Sequence, residues 1–349
     1  KSSNPSVLSN EGKVTRPKKG AADEEVTLKG TVKMGDYAKA RNFTFVVLAE
    51  SEMGPTKEFA LDQVELLDDY YLTAQNSDIE FLKKFDNDRL LSRFRETAGL
   101  DTKKIAPYGG WEDGWLGGHS VGHYLTAIAQ AVKATGNADL KEKSKQLIEG
   151  LAECQNKLGT GFIFGAKIET EGYVEKQFDI LEGKTTGKTW VPWYNMHKML
   201  TGLVDTYKYT GNKQALEVAK KLGDWIYNRV SKWDAGTQGR VLGTEYGGMN
   251  DCLYELYLCT RDSKHLEAAH KFDQPNLYKT VAKGGKNCLN GKHANTTIPK
   301  FLGALKRYVV LEQTGELTKD DEAYLTNAEK FFDIAVTRHA YITGGVSVM

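Results

Sequence analysis

GGWEDGWLGGHSVGHYLTAIAQAVKATG, residues 109–136, changes character halfway along. Its first half is glycine, tryptophan, carboxylate and histidine. Its second half is an apolar run at helical spacing that closes on Thr-Gly. Glycine lets a backbone approach a ligand closely, and tryptophan offers a flat apolar plate with one polar handle. The stretch therefore reads as a pocket rim that feeds an inner helix. His119 and His123 stand four residues apart and share a face once both are helical.

Outward from this stretch the same unit recurs. A helix over 123–134 meets a TGNADL turn and a helix over 140–158; a helix over 194–209 meets TGNKQAL and 215–230. A third pair, 249–259 and 266–270 onward, turns at TRDSKHL, and a fourth, 297–313 and 322–337, at TGELTKDD. The turn glycine suits a left-handed helix end, and the polar residue after it suits the next N-cap. The first helix of each pair is apolar (YLTAIAQAV, MLTGLVDTY, CLYELYLC, FLGALKRYVV), whereas the second carries Lys and Glu. A buried inner layer and a solvated outer layer follow from that contrast. The turns recur at irregular spacing, which excludes a tight solenoid and favours an (α/α)6 toroid. The domains expected are a disordered or linker segment over 1–25, a short extended β segment over 26–56 from runs such as VTLKGTV and NFTFVVLAE, and helical barrel over 57–349. The traceable helices are too few to close six hairpins, so the ring is expected to be incomplete at its C-terminal end, where ITGGVSVM resembles the start of another rim loop.

In such a toroid the loops before the inner helices share one face. Those loops are GGWEDGWLGGHSVGH, GKTWVPWYNMH, GTEYGGMND and NGKHANTTIP, and three end in a histidine that begins an inner helix: His123, His197 and His293. That convergence marks them as ligand-contacting residues. Trp111, Trp115, Trp190, Trp193 and Tyr194 are placed to stack on a sugar ring, although each taken singly also suits loop packing. The rim carboxylates are Glu112, Asp113, Glu245 and Asp251, with Glu245 the best, if weak, candidate for an acid. Ser120 follows His119 where a zincin helix needs Glu, so no metal pair is read there, and His119 is assigned a capping or core role. His265, His270 and His339 fall on outer or terminal segments and read as surface, and Cys252 and Cys259 read as core.

Composition narrows the partners. A net charge of +1 excludes a strong field for nucleic acid or a membrane surface, and no apolar run is long enough to span a bilayer. The N-terminal KSSNPSVLSNEGKVTRPKKG has no apolar core of a signal peptide. The 4 cysteines form no CxxC pair and suggest no disulfide framework.

Taken together, LDQVEL at 61–66, GGHSVGHYLTAIA at 117–129, LAECQNKLGTGF at 151–162, PWYNMHKMLTGLVDTY at 192–207, EYGGMND at 245–251, HANTTIPKFLGA at 293–304 and YITGG at 341–345 resemble the β-L-arabinofuranosidase-type glycoside hydrolases of family 127/146. The resemblance implies an (α/α)6 barrel and retaining release of L-arabinofuranose from a glycan. It implies a zinc-bound cysteine nucleophile and a glutamate acid/base. By motif, Gln63, His123, His197 and His293 resemble the sugar-binding positions; Trp115 and Trp193 join them as substrate-contact candidates on their own chemistry. No residue here matches the catalytic glutamate, the Glu-x-Cys or the Cys-Cys motif. The expectation is that the chemistry lies beyond Met349, that zinc belongs to the full-length enzyme and is not bound by this chain, and that these residues alone are inactive. An extracellular or periplasmic location is expected. Two rivals remain open at this stage: a toroidal sugar epimerase or isomerase using paired histidines, and a non-catalytic glycan-binding module.

Overall fold

The computed structural model describes residues 1–18, 20–49, 58–112, 114–166, 173–285 and 287–349. They form two compact units, Lys1–Ala60 and Leu61–Met349. In the first unit, β1 (Glu24–Met34) pairs antiparallel with β2 (Tyr37–Val47) around a turn at Gly35, whose φ is +59°. The residues ahead of the hairpin, expected as linker or disordered chain, carry a bridge from Ser2 to Leu28 and another from Leu8 to Val14. Leu8, Val26 and Val47 bury together, which is the apolar gain that orders this segment.

The second unit is helical. α1 (Asp69–Lys83) and α2 (Asn87–Ala98) lead into a hairpin of α3 (His119–Thr135) and α4 (Ala138–Leu158). α5 (Lys176–Leu181) lies in the connection to the next hairpin, α6 (Pro192–Thr210) with α7 (Lys213–Val230). α8 (Ala235–Leu242) precedes α9 (Met249–Thr260) and α10 (Ser263–His270), and α11 (Pro275–Ala282) precedes α12 (Ala294–Thr314) and α13 (Glu322–Ile334). α3, α6, α9 and α12 each pack on the next as an inner layer, while α2, α4, α7 and α10 pack in the same order outside them. This is the expected (α/α) arrangement of inner and outer helices. No helix among the described residues is long and apolar enough to cross a membrane.

The turns behave as their residues dictate. Gly136, Gly211 and Gly315 end α3, α6 and α12 with φ of +69°, +72° and +74°. Asn137 and Asn212 then cap α4 and α7, accepting the backbone N–H groups of Leu140 and Ala215. The third turn has no glycine, so Arg261 itself takes the left-handed conformation at φ +56° before Asp262 caps α10.

Two glycines decide how closely the inner helices approach. A Cβ on Gly122 of α3 would lie 2.1 Å from the Lys198 carbonyl oxygen of α6, and one on Gly202 would lie 2.5 Å from the Gly122 oxygen. The two backbones are in contact, with no space for a methyl group. Gly239, within α8, has nothing within 4 Å of its Cβ position. Gly122→Ala is therefore expected to lower unfolding free energy by about 3 kcal/mol through overpacking. Gly239→Ala should raise it by about 0.5–1 kcal/mol through helix propensity. Urea midpoints at unchanged slope measure both.

Candidate carbohydrate-binding site

The N-terminus of α3 is built first. Gly118, its N-cap, offers no side chain, so the exposed backbone donors need another acceptor. Glu112 supplies it. Its two oxygens accept the N–H of Gly118 at 2.6 Å and of Ser120 at 2.9 Å, and its Oε1 stands 3.0 Å from His119 Nδ1. Burial works against ionisation of Glu112, but hydrogen bonds from His119, Ser120 and Gly118 hold its carboxyl below the usual range. Burial also works against a charged His119, but Glu112 and the Leu116 carbonyl raise its pKa. The carboxylate is thus a helix cap, and His119 is its partner. Asp113, the other acidic residue of this rim, lies outside the described residues.

The second rim loop leads into α6, which opens on Pro192. His197 is buried, and its Nδ1 accepts the N–H of Gly248 at 3.0 Å. An accepting Nδ1 carries no proton, so the neutral ring bears its proton on Nε2. Burial, then the Lys198 ammonium and His123, keep the imidazole well below its ordinary pKa. EYGGMND explains itself here. A Cβ on Gly247 would lie 2.5 Å from His197 Nδ1, and one on Gly248 2.9 Å from Nε2, so the glycine pair makes the shelf on which the ring rests.

These loops enclose a cavity of about 560 Å³, lined by Trp111, Leu116, His119, Trp190, Val191, Tyr194, Glu245, His293, Asn295 and Thr296. Trp111 and Trp190 expose their rings. The His119 and Tyr194 rings stand 6.3 Å apart, and Lys198 Nζ lies 4.8 Å above the Tyr194 ring. Glu245 accepts the Gly247 N–H at 2.7 Å. Its charge partly offsets the burial that lowers the pKa of Lys198 and of Lys300, whose Nζ sits 4.6 Å over Tyr246. His293 is exposed at the N-cap of α12 and pairs by backbone with Val348.

Several sequence expectations need correction. Trp193 is fully buried rather than on the sugar face. Its ring packs edge-on to Phe178 at 4.9 Å, Phe272 at 5.1 Å and Trp233 at 5.6 Å, an aromatic core of the unit. Trp115 is half-buried and absent from the cavity lining; its carbonyl accepts the Asn195 amide at 2.9 Å. Gln63 lines a different cavity beside Ala134 and Thr135, at the far end of α3 from His119. His123 is exposed and stands edge-on to the cavity-lining His119 at 6.0 Å. Although the residue is exposed at the rim, desolvation of its ring, then the Lys198 ammonium and His119, push its imidazole down to about 4.

Asp251 is not on the cavity wall either. Burial, with Glu255 and Asp205 beside it, pushes its carboxyl up to about 6 against Lys306 and Lys208. That inner-wall cluster spans three helices, with Lys208–Glu255 at 2.6 Å and Lys306 also bonded to Glu255. His265, read as surface, is buried. Sequence reading missed Asn295, Lys198 and Lys300 as members or neighbours of the site. Their signal was present: each lies within a turn or two of a rim histidine on the same inner helix.

The cysteines do not fit a catalytic zinc. Cys154 and Cys252 are buried thiols whose pKa burial raises, to about 12 for Cys154, and Cys252 Sγ donates to the Met249 carbonyl. Among the described residues no cysteine joins a cluster of three or more potential ligands. No step of a zinc–thiolate mechanism is therefore derived from these residues.

The Glu112–His119 pair carries a pH signature. A depressed carboxyl contributes stability that is lost as pH falls through its folded pKa; a raised imidazole contributes stability that is lost as pH rises through its folded pKa. Glu112→Gln should cost about 1–2 kcal/mol between those limits and less on either side. It should also move the His119 titration to lower pH in proton NMR. An unmoved His119 titration would contradict the pairing.

Residues 63–349 match the family model described as the catalytic domain of GH127 β-L-arabinofuranosidases, and residues 1–50 match that of an atrophied bacterial Ig domain. No curated protein sequence matches the chain. Among solved structures, the GH127 β-arabinofuranosidase BT3674 is similar over 82% of this chain and 44% of its own, at 17% identity and a TM-score of 0.53. Ara127N, a GH127 β-L-arabinofuranosidase from Geobacillus stearothermophilus T6, is similar over 79% of this chain and 43% of its own, at 18% identity and a TM-score of 0.49. The chain thus spans less than half the length of either enzyme. At these identities the likeness to BT3674 speaks for the shared helical fold, and the family match rests on the sequence of 63–349. The chain belongs to the GH127 β-L-arabinofuranosidase catalytic-domain family.

Proposed function

We propose that the cavity binds the arabinofuranosyl unit of a β-L-arabinofuranoside, and that the whole protein is a retaining glycosidase of an extracellular or periplasmic space. The observation that carries this reading is the meeting of exposed Trp111 and Trp190 with His119, Tyr194, Glu245, His293 and Asn295 around one cavity. Apolar plates set against convergent donors and acceptors suit a sugar, whose ring has apolar faces and a polar edge. In this reading the tryptophans cover a ring face while Tyr194, His293 and Asn295 take hydroxyl groups. Glu245 is the carboxylate that the described residues place on the wall, and it accepts a hydrogen bond from a sugar hydroxyl.

Chemistry is assigned elsewhere. The resemblance implies a glutamate acid/base and a zinc-held thiolate that serves as nucleophile, and we place both in parts of the protein outside residues 1–349. The residues here hold the sugar and shield it from water. The epimerase rival loses support because Nδ1 of His197 already accepts from Gly248, which leaves that ring no free basic nitrogen.

Calorimetric titration of the chain with methyl β-L-arabinofuranoside should give saturable binding, weaker for the α-anomer. His293→Ala should weaken it roughly tenfold, the loss expected for one or two hydrogen bonds. Equal binding of both anomers, or none, would sink the sugar assignment. An aryl β-L-arabinofuranoside should not be turned over by these residues alone; zinc-dependent turnover would refute the placement of the catalytic groups elsewhere.

A further inference from the structure

The junction of α7 and α10 holds a buried imidazole with one ring nitrogen unbonded. His265 of α10 is 1% exposed. Its Nδ1 lies 2.8 Å from Thr260 Oγ1 at the end of α9, and the Thr260 hydroxyl donates to the Leu256 carbonyl at 2.9 Å. A hydroxyl has a single proton, so Thr260 Oγ1 accepts, and the ring proton sits on Nδ1. Nε2 is left with a bare lone pair, buried and without a hydrogen bond. The Lys220 carbonyl of α7 faces this ring and works against the lowering of its pKa by burial, but it does not meet Nε2 in hydrogen-bond geometry.

The surroundings form a cradle. A Cβ on Gly223 of α7 would stand 2.7 Å from both Cδ2 and Nε2 of His265, so glycine is what admits the ring. The next residue, Asp224, places Oδ1 3.9 Å from Nε2. That oxygen is also buried and makes no hydrogen bond. Asp262, the N-cap of α10, completes a set whose ligand atoms lie within 4.8 Å of one another. Among the described residues the ammonium in contact with them is that of half-exposed Lys264, with Nζ 3.5 Å from Asp224 Oδ1 and 4.0 Å from Asp262 Oδ2. A lone pair and two carboxylates converging on one point, with the imidazole oriented by a hydrogen bond through its other nitrogen, describe a metal-ligand set.

We infer that His265 Nε2, Asp224 and Asp262 form a site for a divalent cation, with Zn²⁺ as the ion that one imidazole and two carboxylates suit best. Water completes the tetrahedron. Metal–ligand bonds of about 2.0–2.2 Å put ligand atoms roughly 3.4 Å apart, so the set, now spread over as much as 4.8 Å, must close by about 0.5–1.4 Å. Asp224 and Asp262 are partly exposed and able to turn. Lys264 swings into solvent as the ion enters. None of these residues lines the carbohydrate cavity, so the ion has a structural role: it clips the outer helices of two neighbouring hairpins together.

Zn²⁺ titrated by calorimetry into the chelator-stripped chain should bind with one equivalent at this site and raise its melting temperature. Asp224→Asn, a change at a half-exposed position, should weaken binding at least tenfold and remove the thermal shift. Lys264→Ala, which deletes the competing ammonium, should tighten it several-fold. Co²⁺ in place of Zn²⁺ should show visible ligand-field bands without a thiolate charge-transfer band. Absence of saturable binding, unchanged affinity in Asp224→Asn, or a thiolate band lost on removing cysteine and not on removing Asp224 would each overturn the site.

Discussion

The helical unit depends on a contact made without side chains. Gly122 of α3 and Gly202 of α6 let two inner helices touch backbone to backbone. Rim loops end where inner helices begin, so the spacing of those helices sets the spacing of the loops. Because α3 and α6 are so close, His119 from one loop and Tyr194 from the next stand 6.3 Å apart. Farther round the layer Gly303 of α12 faces Asn250 of α9, where a Cβ would lie 2.0 Å from Oδ1. Asn250 is in turn held by Asp273 and Tyr278, and Asp273 by Tyr254 and Arg307. The inner layer is thus closed tightly at two crossings, once by backbone alone and once by a buried polar network with its partners in place.

Polar groups at the rim divide into those that hold the frame and those that remain for a ligand. Glu112 spends both oxygens on the start of α3, and His197 spends Nδ1 on the glycine shelf. Neither behaves as a free acid or base. What remains facing the cavity is aromatic and amphipathic: Trp111, Trp190, Tyr194, His293 and Asn295, with Glu245 as the carboxylate. In the proposed reading, such a wall recognises shape and hydroxyl pattern.

Much of the fold was legible because its signals are local. The alternation of apolar and charged helices gave the inner and outer layers, and Thr-Gly-Asn gave the turns through the left-handed glycine and the asparagine cap. The rim loops were legible by composition. Their individual side chains were not. Trp190 and Trp193 lie three residues apart in one loop-and-helix start, yet one is half exposed and the other is at the centre of an aromatic cluster. Gln63 resembles a sugar-binding position through its own motif, LDQVEL, and still lies beside Ala134 and Thr135, at the end of α3 away from His119. His265 looked like surface on a charged outer helix, but Gly223 on the neighbouring hairpin opens a slot that buries it.

By itself, then, the sequence determined the paired inner and outer helices, their order, the turns between them and the face on which the rim loops gather, but not the short α5, α8 and α11, because periodicity and capping act over a few residues. Only the tertiary structure decided which rim side chains turn toward the cavity and which support it. That choice depends on what a neighbouring helix allows across a gap of ångströms. A glycine on one hairpin, distant in sequence, admits or excludes the side chain of another.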